Sequence, residues 1–370
     1  MKNLSLFHKL LKIDWVLVLL LVLLVSIGCL SLYSAADGNW SPWATRHFQR
    51  GVIGILLALI IALIDIKIIY KFAWLPLFIS ISLLSLLYIT SDGSVNRWLS
   101  LGAIKIQPSE LAKISIILAL ARFFHNIQIR NYGKISYSII AIIISLPVIV
   151  LTLVQPDLGT AIMQILLVGA LVFLAGLRVW FLILSLGVFI ASLPIIWINL
   201  HDYQKQRILT HLDPSLDSLG AGYHINQSKI ALGSGGLFGK GFLQGSQSNL
   251  DFLPEKQTDF IFTMIGEEFG LAGGLFVLMI FVLLILYTYI ISFLQSSQFG
   301  RLVCSGTVFM LFSYVFVNIG MVSGMLPVVG APLPLISYGG SSMLTIFISF
   351  GIVLSASIHR FDKIELRERF

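Results

Sequence analysis

The residue best placed to do chemistry in this sequence is an acid at the start of a long apolar stretch. Asp259 follows the polar segment 254–258 and opens the apolar run 259–294. A carboxylate at the boundary between water and hydrocarbon is costly to keep charged unless it has a function. Asp259 is therefore a candidate for accepting a proton, although an acid at a helix N-terminus can also serve only to interact with the helix dipole.

Two further ionisable residues lie three positions apart in the segment 107–113. Pro108 suits the first turn of a helix, so Glu110 and Lys113 fall on one helical face within reach of each other. Two interpretations remain open. The residues form a buried structural ion pair that fixes helix packing, or they line a polar cavity that faces a substrate.

Asp157 and Ser337 lie in short segments that are rich in turn-forming residues. Asp157 follows Pro156 and could serve only to cap the next helix, although it also adds an acid to the same polar rim. Ser337, a candidate substrate-binding residue, belongs to the stretch 325–340, which holds three prolines and three glycines and has no charge. Such a composition predicts a rigid, non-helical segment that dips back into a membrane, where irregular backbone needs protein or water around it.

The stretch 200–258 is the longest polar part of the chain and contains Arg207, Lys229 and Lys240. Its glycine-rich part, 233–241, lacks the spacing of a phosphate-binding loop, because serine stands at 234 and glycine at 241. We interpret the stretch as a flexible, basic cover whose cations bind an anionic ligand. An ordinary flexible loop is the alternative.

Composition places all these residues in a polytopic membrane protein. Of the 370 residues, 57% are hydrophobic and 11% charged, with a mean hydropathy of +0.95, too apolar for a soluble globule. At about 20 residues a crossing, we expect an all-α domain over 1–370. The first run is too long for a signal peptide and should remain as an anchor. The ten predicted spans are 14–34, 52–70, 72–91, 107–124, 135–154, 158–177, 179–199, 259–294, 301–323 and 341–359.

The distribution of lysine and arginine predicts the orientation. Four basic residues lie in the short connections of one side: Arg46, Arg50, Arg97 and Lys105. Fourteen lie in the connections and termini of the other: Lys2, Lys9, Lys12, Lys67, Lys71, Arg122, Arg130, Lys134, Arg178, Arg301, Arg360, Lys363, Arg367 and Arg369. The positive-inside rule then puts both termini in the cytoplasm and the 200–258 loop, between spans seven and eight, outside. The net charge of +7 reflects this topology and gives no indication of nucleic-acid binding.

Six motifs in a fixed order resemble the SEDS family (shape, elongation, division and sporulation), and its elongation members rather than its division members. The resemblance covers nearly the whole chain. It is carried by Arg97-Trp98, by the segments 107–113, 155–160, 234–241 and 254–260, and by 330–340.

The resemblance implies a peptidoglycan glycosyltransferase that polymerises lipid II, a disaccharide-pentapeptide on undecaprenyl pyrophosphate. Because the donor sugar is α-linked and the product β-linked, we expect one inverting displacement, with Asp259 as the general base for the acceptor hydroxyl. Positive charge for the leaving pyrophosphate would come from Arg50, Lys113, Arg207 or Lys240, or from a divalent cation such as Mg²⁺ or Mn²⁺. The sequence shows no metal-ligand spacing that chooses among them.

Two other functions stay open. A lipid II flippase also needs many spans and buried charges, and Glu267 and Glu268, two to three turns into the eighth span, are the best support for transport. Against it, the other polar candidates all belong to the outer half. A non-catalytic scaffold of the elongation machinery would use none of these charges.

The resemblance also implies protein partners in the membrane. A class B penicillin-binding protein, which is a single-span transpeptidase, is expected to associate with the chain, together with other membrane proteins of the elongation complex. The outer surfaces of the eighth and ninth spans are candidate docking faces, where Gly320 and Gly324 would permit close helix approach.

Overall fold

Apolar helices dominate the computed structural model. It describes residues 6–90, 97–101, 104–127, 134–176, 202–217, 220–245, 255–362 and 364, with scattered positions between 180 and 200. In chain order the helices are α1 (Leu6–Leu11), α2 (Trp15–Ala35), α3 (Trp43–Ala62), α4 (Ile66–Lys71), α5 (Leu75–Thr90), α6 (Pro108–His125), α7 (Ile135–Val154), α8 (Leu158–Leu174), α9 (Asp202–Leu212), α10 (Ala221–Ser234), α11 (Ile261–Phe293), α12 (Gln298–Val322) and α13 (Gly340–Ile358).

Six of the described helices are long and apolar enough to cross a membrane: α2, α3, α7, α11, α12 and α13. Two shorter apolar helices, α5 and α8, accompany them, so the protein is a multi-pass membrane protein. The seventh predicted span, 179–199, lies largely outside the described residues. A short antiparallel hairpin, β1 (Leu99–Leu101) and β2 (Ile104–Ile106), precedes α6 and adds a small sheet to the expected all-α fold.

Helix α13 is the most enclosed of the six candidate spans, with 89% of its apolar window buried. It packs against α3 along its length, while α11 packs against α12 and α2. By contrast, the outward faces of α7 and α11 leave Ile143, Phe276 and Met279 exposed. Exposed apolar side chains on a helix of a multi-pass protein face lipid, so α13 lies inside the bundle and α7 and α11 lie at its edge.

The predicted bounds of the second span, 52–70, were wrong. Helix α3 begins at Trp43 and ends at Ala62, and a separate short helix, α4, follows. Arg46 and Arg50 made the first two turns look too polar for a span, but His47 and Gly51 of the same turns are buried. At the other end, Asp65 caps α4 by accepting a hydrogen bond from the Lys67 backbone N–H at 2.9 Å.

The predicted continuous span 259–294 is interrupted. Gly270 has φ 66° and ψ −163°, a conformation that is essentially restricted to glycine, and it breaks α11 into two halves. The break leaves backbone groups of α11 without partners inside the helix, and the glycine-rich stretch of the long loop forms hydrogen bonds with them. Lys240 N–H donates to the Glu267 carbonyl at 3.0 Å, and Leu271 N–H donates to the Gly236 carbonyl at 2.9 Å. This part of the loop is therefore bound to α11, in contrast to the flexible cover that the sequence suggested.

The described part of the 200–258 loop is folded. It contains α9, a 3₁₀ turn over Pro214–Asp217, and α10. Ser228 of α10 lies within 2.7 Å of the Thr263 hydroxyl and donates to the Val322 carbonyl at 2.8 Å. These contacts join α10 to the first turns of α11 and to the end of α12, which is where Asp259 lies.

Candidate active site

Asp259 lies in the turn just before α11, and its side chain is half-buried. Among the described residues, its carboxylate has neither a hydrogen-bond partner nor an ion pair. The carboxylate faces Gly330, where a β-carbon would lie 3.5 Å from Asp259 Oδ2. An acid that is held at the end of the bundle without a partner is available to a ligand.

The electrostatic surroundings of Asp259 favour its protonated form. The pKa of Asp259 is raised from 3.8 to about 6, chiefly by burial and in addition by the negative charge of Glu255. The positive charge of Arg207 acts in the opposite direction and lowers the pKa. A carboxylic acid with a pKa close to neutrality combines a large ionised fraction at pH 7 with useful basicity.

A non-helical segment holds the turn that contains Asp259. This proline-rich segment (residues 325–340) is non-helical up to Gly339, as predicted. Tyr338 N–H donates to the Gln257 carbonyl at 2.8 Å, and the Ser337 hydroxyl donates to the Thr258 carbonyl at 2.6 Å. The Asn318 side chain of α12 donates to the carbonyls of Asp259 at 2.9 Å and Ala331 at 2.7 Å. The backbone around Asp259 is thus fixed by three separate contacts.

The structure places Ser337 in a supporting position. Its side chain is buried, and its hydroxyl accepts a hydrogen bond from Leu333 N–H at 2.7 Å while donating to Thr258. Arg50 reaches the same segment from α3, with its guanidinium 4.7 Å from the centre of the Tyr338 ring. A ring nitrogen of His47, one turn earlier in α3, lies 3.0 Å from the Leu335 carbonyl. Arg50 and His47 therefore both contact the proline-rich segment, which in turn forms hydrogen bonds with the turn that contains Asp259.

Asp157 performs the capping role that was one of its two predicted roles. Its carboxylate accepts from Thr160 N–H at 3.4 Å and from the Gln107 amide at 3.0 Å. Arg97 lies 3.9 Å from the same carboxylate and donates to the Pro156 carbonyl. The cap thus joins the start of α8 to the start of α6.

A surface cavity next to Asp157 brings two arginines to the proline-rich segment. Arg97, Asp157 and Arg207 line it together with residues 327–329. Lys229 lies close by on α10, and its exposed side chain passes over Gly324. Two arginines and one aspartate leave the cavity wall with one net positive charge, which favours an anionic group.

Glu110 and Lys113 form a closed group with Tyr314 of α12. The Lys113 ammonium donates to Glu110 at 2.7 Å and to the Tyr314 hydroxyl at 2.6 Å, and Tyr314 donates to Glu110. All three side chains are buried, with Lys113 only 1% exposed. This geometry matches a structural ion pair rather than the lining of an open cavity.

Glu267 and Glu268 lie at the same end of the bundle as Asp259, not deep within a span. Lys240 forms an ion pair with Glu267 at 2.7 Å, and Ser34, in the last turn of α2, donates to Glu268. The break at Gly270 explains the difference, because the continuous part of α11 begins only after it.

The structure therefore gathers six of the nine predicted site residues around the proline-rich segment, namely Arg50, Asp157, Arg207, Lys229, Asp259 and Ser337. The other three, Glu110, Lys113 and Lys240, are engaged in ion pairs. Sequence analysis did not identify Asn318, Arg97 or Glu255 as site residues. Asn318 carried a usable signal, since a lone amide within an apolar span usually has a structural or functional partner.

Comparison with known proteins gives the family. The family model for the cell cycle proteins FtsW, RodA and SpoVE matches residues 8–362. The chain belongs to the SEDS family. Within this family it is 43% identical over 358 residues to the peptidoglycan glycosyltransferase MrdB of Escherichia coli K12, covering 94% of each chain.

Solved structures of relatives share the fold of this SEDS protein. A chain in a peptidoglycan synthase complex that coordinates polymerization and crosslinking matches with a TM-score of 0.79 and 30% identity, over 95% of this chain and 99% of that one. The rod shape determining protein RodA of Thermus thermophilus matches with a TM-score of 0.68 and 28% identity, over 95% and 98%. The RodA-like fold therefore extends over nearly the whole chain.

Proposed function

We propose that this chain is a peptidoglycan glycosyltransferase that polymerises lipid II during cell elongation, with Asp259 as its general base. The activity follows from the relative at 43% identity over almost the entire chain. The observation that supports the role of Asp259 is its carboxylate, which is half-buried and without a partner among the described residues, beside Gly330.

The reaction is a single inverting displacement. Asp259 removes the proton from the 4-hydroxyl of the acceptor sugar, whose oxygen forms the new β-1,4 bond to the anomeric carbon of the donor. The bond between that carbon and undecaprenyl pyrophosphate breaks, and the pyrophosphate leaves with the bonding electrons. General-base assistance of this kind contributes about 10²–10⁴-fold to the rate.

Positive charge must reach the departing pyrophosphate. Of the four basic residues proposed from the sequence, Lys113 and Lys240 are held in ion pairs at 2.7 Å. Arg207 lines the cavity beside residues 327–329, where Arg97 is paired with Asp157, and Arg50 lies at the other side of the proline-rich segment. Their positions along this segment make Arg207 and Arg50 the preferred candidates for binding phosphate oxygens. A divalent cation, Mg²⁺ or Mn²⁺, would supply further charge by binding these oxygens.

The topology of the reaction follows from the same proposal. Ten spans would place both termini in the cytoplasm and Asp259 at the outer face of the bacterial cytoplasmic membrane. The lipid tail of the substrate would lie among membrane lipids against the apolar helices, and its head group would lie at the proline-rich segment. A class B penicillin-binding protein and other elongation-complex membrane proteins are the proposed partners.

The predicted docking face for the class B penicillin-binding protein, which included Gly320 and Gly324, needs revision. Gly320 is buried against Leu326 of its own chain, and Gly324 faces the side chain of Lys229. These two glycines therefore do not offer the open helix surface that their spacing suggested. The exposed apolar side chains of α11, among them Phe276 and Met279, remain available to a membrane-spanning partner.

The test is polymerisation of labelled lipid II by the purified full chain, with and without its transpeptidase and with and without chelator. Asp259→Asn should lose at least about 100-fold in rate, while Asp213→Asn, an exposed acid of the same loop, should keep the parent rate. A folded Asp259→Asn protein that polymerises at the parent rate would contradict the role of Asp259.

Liposomes separate the remaining alternatives. Scrambling of lipid II without glycan chains would indicate a flippase, and neither activity would indicate a scaffold. Glu267 and Glu268 give less support to transport than their sequence position implied, because both contact residues at the end of the bundle where Asp259 lies.

A further inference from the structure

A cluster of three potential metal ligands lies at the opposite end of the bundle from Asp259. Helix α13 starts beside Arg50 at the proline-rich segment and runs for 19 residues, or about 28 Å. At its far end, one ligand atom from each of Asp65, His359 and Asp362 lies within 4.8 Å of the others. Two ligands on opposite sides of a metal ion at about 2.1 Å each are about 4.2 Å apart. The 4.8 Å bound is slightly wider than this, so small rotations of the three side chains would bring their ligand atoms to one shared ion.

His359 is oriented like a metal ligand. Its side chain is only 4% exposed, and its Nδ1 donates to the Ser355 carbonyl at 2.9 Å. A donating Nδ1 leaves Nε2 as the nitrogen with a free lone pair, and a backbone carbonyl is a usual partner for the second nitrogen of a metal-binding histidine. No described residue forms a hydrogen bond with Nε2.

Within the described part of the chain, the two carboxylates of the cluster have no cationic partner. Among the described residues, none forms an ion pair with Asp65 or Asp362. The nearby cations are directed elsewhere: the Lys9 ammonium donates to the Leu63 carbonyl at 2.8 Å, and the Arg360 guanidinium lies 4.9 Å from the centre of the Phe361 ring. Two close, half-buried acids beside a buried imidazole repel each other, and a bound cation would relieve this repulsion.

The cluster is also held in place by the surrounding backbone. The Ser355 hydroxyl donates to the Ile64 carbonyl at 2.6 Å, which ties α13 to the residue before Asp65. Asp362 N–H donates to the His359 carbonyl at 2.9 Å and closes the turn after α13. The ligands thus come from two separate parts of the chain that are fixed against each other.

We propose that Asp65, His359 and Asp362 bind one divalent transition-metal ion, which links the connection between α3 and α4 to the end of α13. One imidazole with two carboxylates matches the ligand preferences of Mn²⁺ and Zn²⁺ better than those of Mg²⁺ or Ca²⁺, which prefer oxygen alone. The site is independent of the proposed glycosyltransferase reaction, since it lies a full helix length from Asp259.

The test is a titration of the metal-stripped full chain in nanodiscs with Mn²⁺, followed by electron paramagnetic resonance. All proteins carry Asp259→Asn, so that an ion bound near the proposed general base does not contribute. The parent should bind one Mn²⁺ with nitrogen modulation from an imidazole ligand. His359→Gln should remove this modulation, and both His359→Gln and Asp362→Asn should weaken binding by at least about tenfold.

A matched control is Asp213→Asn, an exposed acid outside the cluster, which should bind Mn²⁺ like the parent. Zn²⁺ should compete for the site and raise the melting temperature of the parent but not of Asp362→Asn. The proposal is overturned if no Mn²⁺ binds at millimolar concentration, if the bound ion has no nitrogen modulation, or if a folded Asp362→Asn binds it as tightly as the parent.

Discussion

The carboxylate of Asp259 is half-buried and also lacks a partner among the described residues, a combination that is unusual because a buried carboxylate usually has one. It is half-buried, which favours its neutral form, yet among the described residues no group stabilises its charge by direct contact. Glu255 and Arg207 act on it only through space and in opposite directions. The pKa of Asp259, about 6, is therefore a balance that single substitutions should change.

The pH dependence of polymerisation should follow that balance. The base must be ionised, so the rate should rise with pH through about 6 and level off above it. Glu255→Gln removes a neighbouring negative charge and should move this midpoint to lower pH, whereas Arg207→Gln should move it to higher pH. Rates measured from pH 5 to pH 8 check both, and shifts in the same direction in the two variants would contradict the assignment.

Asp259 should also reduce the stability of the fold at neutral pH. Its folded pKa of about 6 is above the unfolded value of 3.8, so the folded state binds more protons between these values and stability falls as pH rises through this window. Asp259→Asn removes this penalty and should be more stable than the parent at pH 7.5, by on the order of 1–3 kcal/mol. Thermal melting should show little difference near pH 4, and a variant less stable at pH 7.5 would contradict the shift.

Candidate site residues could be proposed from the sequence, but their contacts could not. Asp259 was proposed because a charge beside an apolar span is unusual, and Arg207 because it lies in the long basic loop over 200–258. That Ser337 would hold the Thr258 carbonyl, or that Lys240 would pair with Glu267, depends on how distant segments pack. Residue spacing carries no information about such contacts, and for the same reason the contact of Arg97 with Asp157 was not predicted.

At the level of elements, the break in α11 at Gly270 allows the long loop to pack against the part of α11 next to Asp259. Backbone atoms of Leu237 and Gly239 lie within 3 Å of where a β-carbon on Gly270 would be, so the glycine allows the long loop to dock. The sequence predicted one continuous span because apolar residues continue through the break without a proline. Likewise, α3 starts nine residues before its predicted start, because one face of its polar first turns, with Ala44 and His47, is buried against protein while Arg46 stays exposed.

Gly270→Ala should destabilise the protein by about 1–3 kcal/mol, because alanine rarely adopts the backbone conformation found there. Gly274→Ala is a matched control in the same helix, where the new methyl group would lie 3.4 Å from Phe262 in ordinary contact. Alanine in a helix interior is favoured over glycine by up to about 1 kcal/mol, so this control should be neutral or slightly stabilising. Melting temperatures of the two variants check the difference, and equal effects would argue against a strained break.

For the molecule as a whole, function depends on the two ends of the bundle being different. The end with Asp259 collects the cavity arginines, the folded loop and the broken half of α11. The other end has Asp14, whose carboxylate accepts from Ser357 and from Tyr287, and the cluster at His359. A polymerase that acts on one face of the membrane needs this difference between the two ends, whereas a transporter needs polar access from both ends.

The proposed orientation of these ends can be measured with two matched cysteine variants. Ser215 lies in the 3₁₀ turn of the long loop and Ser296 lies between α11 and α12, and both are exposed. The native Cys29 and Cys304 are buried, so they should react slowly with a polar maleimide. In intact spheroplasts, Ser215→Cys should be labelled and Ser296→Cys should not, and permeabilised cells should label both. Labelling of Ser296→Cys alone would reverse the topology and place Asp259 on the cytoplasmic side, where it could not serve polymerisation outside the membrane.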